Sequence, residues 1–170
     1  MASIDVLLTI AIPTYNRSEF LDRTLHCVNV QIKDKDYPIE IIVSDNCSTD
    51  DTHVIVNDYI NNGLPIKYIR NIENKGPDFN IAQCYLAAKG KYVIALGDDD
   101  IFLHGAIGKV INILSFNEIG VLFLKSRVLT NSDLNEFDIP EVKYKEFDNH
   151  MDFIKIVNYN VTFITSNIIN

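Results

Sequence analysis

The chain has 170 residues, 47% hydrophobic and 22% charged, with a formal net charge of -8; this suits one globular domain with a core of its own. The acidic balance argues against unassisted binding to a nucleic-acid backbone, which needs Lys and Arg to neutralise phosphates, but leaves open a phosphate ligand carried in by a divalent cation. Cys27, Cys47 and Cys84 are widely spaced with no Cys/His cluster, which argues against a disulfide framework or structural zinc, and neither a basic leader nor an apolar membrane span is written in the sequence.

In chain order, residues 7–12 (LLTIAI) form an apolar run stopped by Pro13, the pattern of a buried strand. Ser18 then stands where a helix cap belongs, with Phe20, Leu21, Thr24, Leu25 and Val28 on one 3.6-period face. Residues 39–44 predict a second buried strand. Ser48, with Asp51 three positions on, has the pattern of a capping box; Val54, Ile55, Tyr59 and Ile60 continue that helix until Asn62 and Gly63 end it. A third strand is predicted over 66–70, a helix over 78–89 closed by Gly90, and a fourth strand over 92–96. A helix over 105–116 and a fifth strand over 121–124 follow. Residues 130–150 are polar and contain Pro140, which predicts a loop or lid, before a short helix over 151–159 and a strand over 161–165.

Strict alternation of apolar strands with helices implies a doubly wound α/β domain, its mostly parallel sheet covered by helices on both faces. Residues 1–129 make up its main unit, and 130–170 a lid and the start of a further region of the same domain. Right-handed crossovers put the ends of the parallel strands on one edge, where ligands of such sheets bind. Four polar clusters fall at these ends: residues 13–17, 44–48, 71–76 and the triple Asp98, Asp99 and Asp100.

Three adjacent carboxylates repel one another. A hard cation such as Mg2+ or Mn2+ takes one or two of them and keeps room for water and phosphate; the competing reading is a solvated acidic turn at the N-terminus of the next helix. Asp45 accepts hydrogen bonds only, so it can take the imino N–H of a base or serve its own turn. Tyr15 can stack on a base or lie as a surface ring. Arg17 can meet phosphate, although pairing with Glu19 or Asp22 is the expected arrangement. Gly76, in the segment 74–80 that opens a helix, permits close approach of an anion, and a plain turn explains the same residues. His104, soon after the triple, is expected to bond at the helix end.

The stretches TIAIPTYNR, IIVSDNCSTDDT and NKGPDFNIAQCYLAAKGKYVIALGDDD, in this order and spacing over residues 8–125, resemble the inverting glycosyltransferase family 2, with its GT-A fold. The resemblance implies a Rossmann-like half that binds a nucleotide-sugar donor, and transfer of the sugar to an acceptor hydroxyl with inversion, dependent on Mn2+ or Mg2+. Pro13, Thr14 and Tyr15 would line the base and ribose pocket beside Asn16 and Arg17, Asp45 would bond the base, and Asn74, Gly76 and Asn80 would belong to the nucleotide site. Asp98 would lie near the ribose and diphosphate with Asp99 on the metal; a register shifted by one makes Asp100 the ligand. Gly97 stands where many relatives carry another acidic residue. An ionised Asp45 favours bases that offer an N–H, hence UDP- or dTDP-sugars ahead of CDP-sugars.

The family's general base matches none of Asp133, Glu136, Asp138, Glu141, Glu146 and Asp148, and is expected beyond Asn170. The expected acceptor is a saccharide or lipid-linked saccharide, and the expected setting the cytoplasm, including peripheral association with the inner membrane face. Two rivals stand beside this reading. One is an inactive module that binds a nucleotide-sugar or a partner. The other is a phosphoryl-accepting receiver domain, but its acidic pair and phosphorylated Asp are replaced here by Pro13-Thr14-Tyr15-Asn16 and Arg70-Asn71.

Overall fold

The computed structural model of the chain describes residues 6–124, 145–157 and 167–170. Four strand–helix units come first: β1 (Leu8–Thr14) and α1 (Ser18–Ile32), β2 (Ile39–Asp45) and α2 (Thr52–Asn61), β3 (Ile66–Arg70) and α3 (Pro77–Ala87), β4 (Tyr92–Ala95) and α4 (Ala106–Phe116). Then follow β5 (Val121–Phe123), α5 (His150–Val157) and β6 (Asn167–Ile169). The expected strand over 161–165 and residues 130–144 of the expected lid lie outside the described residues.

The sheet runs β3-β2-β1-β4-β6-β5. β1, β2, β3 and β4 are mutually parallel, as the alternation of strand and helix predicts. β6 departs from that pattern: it enters between β4 and β5 and pairs antiparallel with both, and among the described residues β5 reaches the sheet only through β6. Ile168 is fully buried in this position.

Alternation along the strands divides the core. Leu8, Ile10 and Ile12 of β1, with Ile41, Val43, Tyr92 and Ile94, pack against Leu21, Leu25 and Val28 of α1, Val56 of α2 and Ile107, Val110 and Leu114 of α4. Each such side chain, once out of water, contributes roughly 1.5–3 kcal/mol. The other face carries the smaller Ala11 together with Ile42, and there α3 lays down Cys84 and, half-buried, Ala87. Burial pushes the Cys84 thiol up to about 12, so it behaves as an inert apolar group.

Three local expectations need correction. Pro13 does not stop β1 but lies inside it, opposite Ser44 of β2. Its missing N–H costs nothing there, because β1 pairs with β4 only as far as Ala11 and Ala95. Ser18 is the first residue of α1, with Arg17 at the N-cap and no side-chain cap bond of its own. The Ser48–Asp51 capping box is not formed; α2 starts at Thr52 with Asp51 at the N-cap.

Candidate functional site

The strand ends meet along one edge, with Thr14 opposite Asp45 and Asp45 opposite Arg70 in the register of β1, β2 and β3. The chain leaves β4 into a tight turn in which the Asp100 N–H bonds the Gly97 carbonyl at 3.1 Å. A Cβ on Gly97 would meet Asp100 Oδ2 at 2.7 Å and Asp99 Oδ1 at 3.1 Å. The glycine therefore lets two carboxylates fold back over the turn.

Asp98 is buried. Its Oδ2 accepts the Thr14 hydroxyl at 2.8 Å, and its Oδ1 faces Arg17 Nη1 at 3.2 Å. Burial pushes the Asp98 carboxyl above the ordinary carboxylate range and neighbouring Asp99 adds to the rise, while Thr14 and Arg17 pull it back. Asp99 is exposed and takes Arg17 Nη2 at 2.7 Å. Arg17 thus pairs with neither Glu19 nor Asp22, as its sequence neighbourhood implies, but spans two aspartates more than eighty residues away while stacking 4.8 Å from the centre of the Phe20 ring. Two convergent charges outweigh one exposed neighbour on the same helix. The Asp99 bond, despite partial burial, raises the guanidinium above its usual range.

The backbone of this turn is held from below by α1. The Thr24 hydroxyl lies 2.9 Å from the carbonyl oxygens of both Asp98 and Asp100. One turn or two further along the helix, Gln31 donates to the Phe102 carbonyl at 2.9 Å and accepts the Ile107 N–H at 3.2 Å. Thr24 reads from the sequence only as a member of the apolar face of α1, and nothing local marks Gln31.

Asp45 sits at the mouth but is closed over. It is fully buried; Oδ1 accepts the Ser48 N–H at 2.7 Å, Oδ2 accepts the Tyr68 hydroxyl at 2.7 Å, and Arg70 Nε lies 3.4 Å away. In this conformation no oxygen faces a ligand, so the expected bond from Asp45 to a base is not in place. Burial, then the bond to Asp45, raises the Tyr68 phenol well above its ordinary range, which keeps it a donor. Tyr15, one residue beyond β1, is 42% exposed and its ring is free to stack.

Asn80, expected to touch a nucleotide, is instead buried structural glue. It accepts the Ser44 hydroxyl at 2.7 Å and donates to the Ser44 carbonyl at 2.8 Å, tying α3 to the end of β2. Asn46 performs the same task for the loop before α3. Its amide donates to Asn74 Oδ1 at 2.8 Å and the Gly76 carbonyl at 3.1 Å, and accepts from Lys75 N–H at 3.0 Å and Asn71 Nδ2 at 3.1 Å. Gly76 has φ +86° at the N-cap of α3, a conformation that favours glycine. Asn74 and Gly76 therefore lie at the rim, ordered from beneath.

Beside this loop, Asn16 has φ +52° and Cys47 φ +69°. The Asn16 side chain accepts the Thr49 N–H at 2.7 Å, and the Asn16 backbone N–H bonds Ser48 Oγ at 2.9 Å, so Ser48 serves this loop rather than the start of α2. Asp50 caps both helices: Oδ2 accepts Ser18 N–H at 2.9 Å and Oδ1 accepts Thr52 N–H at 3.1 Å. Of the acidic residues weighed as a base, Asp133, Glu136, Asp138 and Glu141 lie outside the described residues, and Glu146 and Asp148 are exposed. His104 is exposed in the turn before α4.

Among the described residues no three His, Cys, Asp or Glu side chains form a ready-made metal cage. The donor set still fits a hard cation of the Mg2+ or Mn2+ kind, because Asp98 and Asp99 converge on one positive group and such ions complete their shell with water and phosphate.

A doubly wound α/β domain with an acidic turn paired to an arginine at its strand-end edge is the class that these features define. The family described as Glycosyl transferase family 2 matches residues 9–165, and the chain belongs to it. Abequosyltransferase RfbV of Salmonella typhimurium is 34% identical over 147 residues, 86% of this chain and 43% of that protein. The structure of S. aureus TarS 1-349 in complex with UDP-GlcNAc superposes with a TM-score of 0.64 at 25% identity, over 83% of this chain and 39% of that one. Mannosyltransferase PcManGT from Pyrobaculum calidifontis, in complex with GDP-Man and Mn2+, shares the fold at a TM-score of 0.60 and 22% identity, over 71% of this chain and 35% of that one. The chain thus spans less than half the length of these proteins. No described helix is long and apolar enough to cross a membrane.

Proposed function

We propose that this chain is the donor-binding part of an enzyme that moves a sugar from a nucleotide-diphosphate sugar to a saccharide hydroxyl with inversion. The observation that carries the reading is the convergence of Asp98 and Asp99 on the Arg17 guanidinium at the strand-end edge of the parallel sheet, which also carries the exposed ring of Tyr15. Tyr15 stacks on the base, and Thr14 fixes Asp98 toward the ribose and diphosphate. Asp99, with Asp98 or Asp100, would hold Mn2+ or Mg2+, which when bound neutralises charge on the departing diphosphate. Gly76 and Asn74 border the opening near the N-terminus of α3, whose positive end suits phosphate. Inversion is carried over from the family and rests on a single in-line displacement with a carboxylate base.

Uracil or thymine preference requires Asp45 to receive the base N–H. That demands that the Tyr68 hydroxyl turn away, so Tyr68 and Asp45 together form the base-selecting unit. Of the structural neighbours, S. aureus TarS is in complex with UDP-GlcNAc and PcManGT with GDP-Man, so the uracil preference rests on Asp45 and Tyr68 rather than on them.

Calorimetric titration of UDP, dTDP and CDP in the presence of Mn2+ tests the reading on wild type and Asp99→Asn. UDP binding that weakens about tenfold or more in the variant is expected; equal binding would remove the reading, and tighter CDP binding would overturn the base preference. Slow release of free sugar from a UDP-sugar separates an enzyme from a module that only binds.

A further inference from the structure

Asp98 and Asp99 are not bare in this structure. Their positive partner is Arg17, which takes one oxygen of each: Nη1 lies 3.2 Å from Asp98 Oδ1 and Nη2 2.7 Å from Asp99 Oδ2, while Asp99 Oδ1 turns toward Asp100 outside the fork. The second Asp98 oxygen is committed to the Thr14 hydroxyl at 2.8 Å. Among the described residues no other Lys or Arg forms an ion pair with the triple.

A guanidinium cannot give up its charge, so a divalent cation held by Asp98 and Asp99 through the oxygens of this fork must displace it, whereas one held by Asp99 Oδ1 and Asp100 would leave it in place. Arg17 is built to be the one that moves. Its side chain is 41% exposed, and its main further support is stacking on the half-open Phe20 ring at 4.8 Å. Its backbone is fixed at the N-cap of α1, two residues after the exposed Tyr15. A guanidinium swung off the aspartates therefore stays at the mouth, where the charge left to meet is a ligand's phosphate, which its planar fork suits.

Resting on the donor-site reading above, we propose that Arg17 is an exchangeable counter-cation: it neutralises Asp98 and Asp99 in the empty chain, a divalent ion displaces it, and it then binds the donor's diphosphate. Metal and nucleotide thereby bind with positive coupling through a residue of the chain itself, and the coupling is the same seen from either ligand. The metal alone binds weakly because it must first break the Arg17 fork. The exposed Arg17–Asp99 pair is worth up to about 1 kcal/mol, so breaking that bond alone costs about fivefold in metal affinity.

The test is calorimetry of Mn2+ with the intact chain, with and without UDP, on wild type, Arg17→Gln and Asp99→Asn. Arg17→Gln is expected to bind Mn2+ alone about fivefold more tightly than wild type and to lose the tightening that UDP confers on wild type. Unchanged or weaker Mn2+ binding by Arg17→Gln without UDP overturns the exchange. Tighter Mn2+ binding with the UDP effect intact overturns the transfer of Arg17 to phosphate. If wild type binds UDP equally with and without Mn2+, Arg17 replaces the metal and the coupling is refuted. Asp99→Asn reports on the underlying reading: Mn2+ binding equal to wild type removes the metal site, and this inference with it, whatever Arg17→Gln does.

Discussion

Asp50→Asn should loosen the rim of the site through two helices at once. One carboxylate serves both N-termini: Ser18 N–H bonds Oδ2 at 2.9 Å, while Thr52 N–H and the Thr52 hydroxyl bond Oδ1 at 3.1 and 2.6 Å. Asparagine keeps one acceptor for Thr52 but turns a donor toward Ser18 N–H. Losing that charge-assisted bond costs about 1.5–3 kcal/mol, and loss of charge near two helix starts adds roughly 0.3–1 kcal/mol each. A total near 3 kcal/mol lowers Tm by about 6–12 °C for a chain of this size. Burial alone would raise the Asp50 carboxyl, but the bonds from Thr52 and Ser18 outweigh it and hold it below the ordinary range. A depressed carboxylate stabilises the fold above its unfolded value near 3.9 and ceases to do so as pH falls through the folded value. Urea unfolding of wild type and variant should therefore show the full gap at pH 5–7 and a shrinking one below about pH 4. A gap of constant size down to pH 3, or none at pH 7, refutes the reasoning.

Thr24→Val keeps shape but removes the hydroxyl beneath the acidic turn; a stability loss of about 1 kcal/mol is expected, with weaker Mn2+ binding by calorimetry. The same loss with Mn2+ affinity intact would mean that the turn is positioned without α1. Tyr15→Ala should leave the melting temperature unchanged, since the ring is exposed, and reduce UDP affinity by the worth of one stacked base, about 1–3 kcal/mol. Undiminished UDP binding would place the base elsewhere.

Period and punctuation made β1 to β4 and α1 to α4 readable, because each buries a stripe that its own residues declare: Leu21, Leu25 and Val28 face inward on α1 as their spacing requires. Partners distant in sequence were beyond reach. Arg17 looked matched by Glu19 and Asp22, yet the deeper field comes from residues 98–99, which only the sheet brings near. Asn80 read as a ligand-facing polar group, and nothing singled out Asn46. A buried amide with several bonds to backbone and loop is indistinguishable in sequence from an exposed one. Asp45 is the sharpest case: its place at the end of β2 was legible, but the hydroxyl that closes it arrives from Tyr68 on the neighbouring strand. Likewise a three-residue strand such as β6 carries too little pattern to announce its direction.

The insertion of β6 has a temporal consequence. During synthesis the block of β1 to β4 has all its strands in hand once Ala95 has emerged, whereas β5, among the described residues, joins a strand, β6, that is made only later. Its edge stays unsatisfied until residues 167–169 are threaded between it and β4, a closure across more than seventy residues from β4. A nascent chain halted between these points would carry a finished left half beside a waiting slot, the natural place for a chaperone or a stray strand to intervene.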